Sequence, residues 1–295
     1  MSGVSTLIYL VPKYIHVTAK IHIEGGDRRP IAMRDYLDLI DQYNYNSEEE
    51  VVQDAYDRGY ELGELNTKNM VPTLTSLELV QEDDQQQLSD LGRQLIGVSI
   101  YDPDLFFELL HWVYSTAYFR SPGPNRLISW SYFKTSEFLY KSAPVDSFSG
   151  RKQDIVDEVI YESDREDGPG FDAEDPGAFS TKSVNGYQKF IERLDPPVLD
   201  DNQITLRSRA PDELLLLAID TVYRSPIIAE TVEYGDLLDL SDEVIEFIGV
   251  ITLLDPQSIE RALEQAAGAY DLIQIEADYR VRLRVNKEIA IDDLT

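Results

Sequence analysis

The sequence predicts a mainly helical α+β chain carrying small β-hairpins. Three observations lead there. Apolar residues recur at helical spacing through most of the 295 residues. Helix-starting signals (Ser47, Ser89, Asp102-Pro103, Ser241 and Asp255-Pro256) stand at the heads of those stretches. Strict period-two alternation is confined to short runs, the clearest being Tyr279 to Val285.

In chain order, residues 4–24 alternate in LIYLV and YIHVTAKIHI and predict one or two strands, closed by Gly25-Gly26. Met33, Leu37 and Ile40 predict a helix over Ile31–Tyr43. Ser47 caps the next helix, with Glu48, Glu49 and Glu50 well placed against the N-terminal dipole, and Gly63 ends it. A helix then starts near Asn69, with Pro72 in its first turn, and continues through Thr73 to Leu79. A hairpin with its tip at Glu82-Asp83-Asp84 follows. Ser89 caps Asp90–Ile96, which Gly97 stops. This order (helix, turn, second helix, hairpin, helix) is the grammar of a winged helix. After Asp102-Pro103 comes a helix that is apolar on nearly every side, and Leu127–Tyr140 is rich in aromatic residues, so both belong in a core.

Residues 162–177 hold seven acids, two prolines and three glycines. They read as an acidic linker or loop between a winged-helix-like domain plus aromatic helical core (1–161) and a helical domain (178–295). The second domain has helices near 181–194 and 211–224, a Ser241-capped helix to Leu254, and another from Pro256 to Gly268. It ends in a hairpin whose last strand alternates Tyr279, Val281, Leu283 and Val285 with Arg280, Arg282 and Arg284. Two helices and such a hairpin suggest a second winged helix.

Composition narrows the function. The chain has no cysteine, which removes disulfides, thiolate metal sites and cysteine nucleophiles together. No apolar run approaches the roughly 20 residues that span a bilayer, and the start lacks the basic and long apolar regions of a signal peptide. A cytoplasmic protein without a membrane partner is therefore expected. The net charge is −29, with 55 acids against 26 bases. The acids are scattered along the whole chain and Arg outnumbers Lys, a pattern that resembles haloarchaeal proteins. In molar salt the Debye length is about 3 Å, so such a surface describes the solvent more than the partner. Binding to a cationic partner is the competing explanation.

Catalytic patterns are sparse, and an enzyme is the less favoured reading. His16, His22 and His111 include no pair at metal-ligand spacing on a helix, and His111 reads as a core or boundary residue. The fragment Asp172 to Ser183 has Pro176 where a calcium loop needs an oxygen and ends in Ser rather than Glu. Phosphate-loop, dinucleotide, nucleophile-elbow and zinc-protease motifs do not occur. A metal-dependent nuclease has no spacing in its favour. No cofactor or metal is called for.

A DNA-binding reading has more substance. The N-terminal residues of a recognition helix enter the major groove. Here they are Thr67, Lys68 and Asn69, followed by Thr73 and Ser76; Lys and Thr suit phosphate, Asn suits adenine. Arg93 follows the wing. Arg280, Arg282 and Arg284 stand about 6.7 Å apart, near the phosphate repeat of one strand. Each has a plain structural counterpart: helix capping for Thr67 and Asn69, a solvated Lys68, and pairing of the arginines with acids such as Glu276.

The pieces LGELNTKNMV, LELV, LSDLG, YDPDLFFELLHWVYSTA and ISWSYF, spread over residues 50–140, resemble an uncharacterised family found beside DNA-phosphorothioation and other phage-defence genes. The family's Phe-x-Gly-His-Glu-Thr-Phe-like opening is missing, and Pro72 stands where the family often has a basic residue. The resemblance implies an accessory component of a phosphorothioation-linked antiviral (restriction) system without catalytic activity. Its partners would be DNA, modified DNA included, and other defence proteins. An adaptor that binds only defence proteins is the alternative.

Overall fold

The structure is a computed structural model; it describes residues 29–60, 62, 70–81, 86–165, 168–169, 179–225, 227–228, 232–277 and 281–294. The expected strands of residues 4–24, the hairpin tip at 82–84 and most of the acidic segment 162–177 lie outside these residues.

Helix α1 (Arg29–Gln42) buries Met33, Tyr36, Leu37 and Ile40 along one stripe. Helix α2 (Glu48–Asp57) starts where the Ser47 hydroxyl accepts from the Glu50 amide. It ends at Gly59, whose φ of +82° is left-handed, before the expected stop at Gly63. Helix α3 (Met70–Ser76) is shorter than the sequence suggests, because Glu78 takes a φ of +63° and turns the chain toward the hairpin. Helix α4 (Asp90–Tyr101) has the expected Ser89 cap but runs through Gly97. The stop is Asp102-Pro103: a residue before proline is pushed out of the helical region, and Asp102 has φ −142° and ψ 89°. The same Asp102 carboxylate accepts from the Asp104 and Leu105 amides and so begins α5 (Pro103–Arg120).

Every residue of α5 from Phe106 to Phe119 is buried. The helix is enclosed by α4, by α6 (Leu127–Ser142) and by helices from the C-terminal part of the chain, which explains its apolar character on all sides. Helices α7 (Phe148–Asp164) and α8 (Thr181–Ile191) complete the middle. A short antiparallel pair, β1 (Leu199–Asp200) with β2 (Gln203–Ile204), follows. Buried residues on both sides of the acidic segment belong to a single core, from Ala32 to Leu294.

The C-terminal part runs α9 (Asp212–Arg224), β3 (Leu237–Asp239), α10 (Asp242–Thr252), α11 (Pro256–Ala269), β4 (Ile273–Ala277) and β5 (Val281–Val285). Helix α11 continues past Gly268, where the sequence places its end. The sheet is antiparallel with β5 central, in the order β3-β5-β4. Leu283 and Val285 are fully buried, while Arg282 and Arg284 lie on the other face, as period two requires.

Among its described residues the N-terminal part carries a reduced form of this pairing. After α1, Tyr45 bridges to Gln86; then come α2, α3 and the bridge of Val80 to Leu88. In both parts an extended piece after the first helix pairs with the second arm of a later hairpin. The chain is thus mainly helical, with two small antiparallel sheets. Among the described residues no helix is long and apolar enough to cross a membrane.

Candidate functional site

In the N-terminal unit the turn after α3 is held by a polar clasp. The Ser89 hydroxyl donates to the Glu78 carbonyl and accepts from the Gly92 amide at 2.9 Å, while the Ser89 amide donates to Leu79 O at 3.1 Å. A Cβ built on Gly92 would lie 2.1 Å from the Leu79 carbonyl oxygen. Only glycine lets α4 approach the hairpin this closely, which accounts for the Leu-Ser-x-Leu-Gly spelling. The Glu78 carboxylate is gripped by Arg120 at 2.9 Å and by Arg126 at 2.7 Å, and Arg126 also donates to the Ser76 carbonyl at the end of α3. Burial draws the Arg120 pKa down to about 10, with Glu78 opposing it, so the guanidinium stays charged at neutral pH. Its Cζ lies 5.0 Å from the Trp112 ring centre, a cation–π contact that partly offsets the desolvation of its unbonded Nε and Nη2.

Around this clasp, Thr73 is buried and Ser76 donates to the Thr73 carbonyl at 2.8 Å. Arg93 turns back, donating to Leu88 O at 2.9 Å and pairing with Asp90. Thr67, Lys68 and Asn69 lie outside the described residues. In the C-terminal sheet, Glu276 faces Arg282 across the β4–β5 register. It stands 3.8 Å from Arg282 and 3.3 Å from Arg284, whose side chains are 34% and 33% exposed. Arg280 is outside the described residues. The structure therefore brings Arg282 and Arg284 together around one carboxylate, and joins Ser76 to Thr73, while Arg93 bonds Leu88 and Asp90 instead.

A second polar centre sits inside the core. Glu108 on α5 and Arg207 form a bidentate pair at 2.8 and 2.9 Å, with both side chains at most 2% exposed. Glu108 also accepts from the Asp195 amide at 2.8 Å, and Arg207 Nε donates to Thr252 O at 2.7 Å. Beside them His111 Nε2 lies 2.9 Å from Ile251 O and Nδ1 lies 2.8 Å from the Tyr132 hydroxyl. A carbonyl accepts only, so Nε2 carries the proton and Tyr132 donates to Nδ1. Burial, reinforced by the nearby Arg207 charge, lowers the His111 pKa to about 3 and keeps the ring neutral. This is a satisfied core histidine, which ties α5, α6 and α10 together. Among the described residues no group of three His, Asp or Glu side chains is placed to hold a metal ion.

The sequence pointed to neither Glu78 nor its two arginines. They are 42 and 48 residues apart along the chain, and no local spacing signals such pairs. No protein-family model, curated protein or solved structure matches this chain.

Proposed function

We propose that this chain is a non-catalytic assembly component of a phosphorothioation-linked antiviral system in a halophilic archaeon, and that its two winged-helix-like units dock other proteins of that system. A winged helix places a helix and a short strand before two helices and a hairpin, with the short strand paired to the second hairpin arm. The reading is supported by α9, β3, α10, α11 and the β4–β5 hairpin at one end, and at the other by the bridges of Tyr45 to Gln86 and Val80 to Leu88 around α2 and α3. The resemblance over residues 50–140 supports the defence assignment, and its LSDLG piece is the clasp that sets the N-terminal unit.

The observation that favours protein over DNA is the outer face of α11, the helix that would read a groove. Its exposed polar and charged positions are Gln257, Glu260, Arg261, Glu264 and Gln265. Two carboxylates outnumber one guanidinium on that face, and a net negative charge disfavours phosphate. The test is co-elution, in molar KCl, of this chain with the products of its neighbouring genes. A stoichiometric complex with one of them, without retention of duplex DNA, is the expected result. Duplex retention with no protein partner would overturn the reading.

DNA contact is the second reading, and the hairpin favours it. Arg282 and Arg284 are held to Glu276 by long contacts and remain a third exposed, so a phosphate can displace that carboxylate. On this reading a triple Arg280/Arg282/Arg284→Ala variant loses DNA retained by the parent chain, and equal retention removes the hairpin from the interface.

A further inference from the structure

Where α10 of the C-terminal unit meets the central helices, a cleft of about 320 Å³ opens between α5, α6, α7 and α10. Its floor is aromatic. Phe119, Phe133 and Phe247 pack with ring centres 4.5 to 5.4 Å apart, and Trp130 lines the cleft beside them. Its walls carry Glu137, Glu162, Glu243 and Glu246. Among the described lining residues the one cation is Lys134, which Glu137 at 2.6 Å and Glu162 at 3.5 Å already share. Lys141, reaching in from outside the lining, bridges Glu137 and Glu246 at 2.8 and 2.9 Å. Arg165 holds Glu162 as well, at 2.9 Å. Four carboxylates thus meet three cations among the described residues, and the cleft keeps an excess negative charge of about one.

These acids differ from the scattered surface acids that suit a salty solvent. Glu137 and Glu162 are only 18% and 19% exposed, set against aromatic rings. Burial would raise the Glu137 pKa, yet Lys134 and Lys141 outweigh it and hold the carboxyl ionised. Ionised carboxylates beside an aromatic floor recognise a cation, as Lys134 already shows 5.9 Å from the Trp130 ring centre: the charge meets the acids and an apolar stem lies along the rings. The volume is at the lower end for ligand sites, which suits one long side chain rather than a nucleotide cofactor.

We propose that this cleft seats a cationic side chain, arginine in preference to lysine, from a protein partner. Arginine is favoured because its planar guanidinium stacks on rings while its edges bond two carboxylates at once. The proposal rests on the docking reading above and says where one anchor of the partner enters.

The test uses the intact chain in molar KCl, with N-acetyl-arginine methylamide as probe. The indole N–H resonance of Trp130 is followed by NMR, and Trp112, buried between α5 and α9, serves as internal control. Saturable movement of the Trp130 signal alone is expected. The neutral isostere, N-acetyl-citrulline methylamide, should bind at least about tenfold more weakly. A Glu243→Gln/Glu246→Gln variant, altered at one exposed and one half-buried position, should bind the arginine probe several-fold more weakly. No response to the arginine probe, or equal affinity for the citrulline one, overturns the site. Equal binding of tetramethylammonium, which has no stem and no donors, overturns the side-chain assignment in favour of a small organic cation. If the arginine probe binds while no neighbouring gene product co-elutes, the cleft stands and the docking reading falls. If a partner co-elutes and the probe does not bind, the docking reading stands and the cleft falls.

Discussion

Replacing Glu108 or Arg207 singly, and then both together, isolates the interaction that joins the central helix to the C-terminal part. Three hydrogen bonds end on the Glu108 carboxylate, two from Arg207 at 2.8 and 2.9 Å and one from the Asp195 amide at 2.8 Å. Arg207→Met removes two of them and leaves a buried carboxylate with a single backbone donor. Glu108→Gln leaves the guanidinium uncompensated, though its bond to Thr252 O at 2.7 Å remains. Leaving one member of a buried pair alone costs about 3–5 kcal/mol. The double variant Glu108→Gln/Arg207→Met buries no net charge, and the glutamine oxygen still accepts from Asp195. It should be less destabilised than the two single losses added together, by about 2–3 kcal/mol of coupling. The assay is urea unfolding of all four proteins in the same molar KCl, followed by tryptophan fluorescence. Additive losses, with coupling below about 0.5 kcal/mol, would show that the pair is not a cooperative unit and refute the reasoning.

Two glycines of one helix should respond in opposite directions. Gly92→Ala places a methyl group 2.1 Å from the Leu79 carbonyl oxygen and should cost about 1–3 kcal/mol; Gly97→Ala meets nothing within 4 Å and should add up to about 1 kcal/mol. Thermal melts of the two variants decide it, and loss of stability in both would count against the close approach. His111 should stay a neutral Nε2–H tautomer in folded protein at pH 5, visible in ¹⁵N imidazole spectra. Its folded pKa is depressed from 6.5 to about 3, so its stabilising contribution is complete above pH 6.5 and declines as pH falls toward 3. A folded-state imidazolium signal at pH 5 would contradict the buried geometry. Asp220 has the opposite sign. Burial raises its pKa to about 6, against the amide of Ile289 and the hydroxyl of Tyr234, which both bond its Oδ1. The folded state therefore holds the proton more tightly, and stability falls as pH rises from about 4 through 6. Asp220→Asn keeps the acceptor and loses the charge. Its stability relative to the parent should climb across that window by at most about 3 kcal/mol, and a flat difference in paired denaturation curves would reject the assignment.

Local chemistry was legible in the residues themselves. Ser47, Ser89, Asp102 and Ser241 cap helices as read, because a side-chain oxygen two or three residues from an unbonded amide acts within its own turn. The alternation of Val281 to Val285 fixed which face of the last strand is buried, and the all-round apolar character of α5 marked the core. Where the reading failed, a neighbour in space had the decision. Gly97 marks a stop in the sequence, yet α4 passes through it, because Asp102-Pro103 supplies the stop. Strand β3 was not anticipated: Leu237–Asp239 is too short to show a period, and its partner β5 lies more than forty residues further on.

The candidate site divides the same way. The sequence placed arginines on one face of a strand and named Glu276 as a possible partner, since both follow from period and proximity. It had no means of finding the Glu78 clasp, the Glu108–Arg207 pair or the aromatic cleft. Those depend on residues brought together from tens of positions apart, where burial and charge select the partner and no spacing records the choice. Pattern, capping and composition thus determined a helical chain with hairpins at defined places. Only the tertiary structure decided which of its many acids stand against rings and cations and which face the solvent, because dielectric environment is a property of packing.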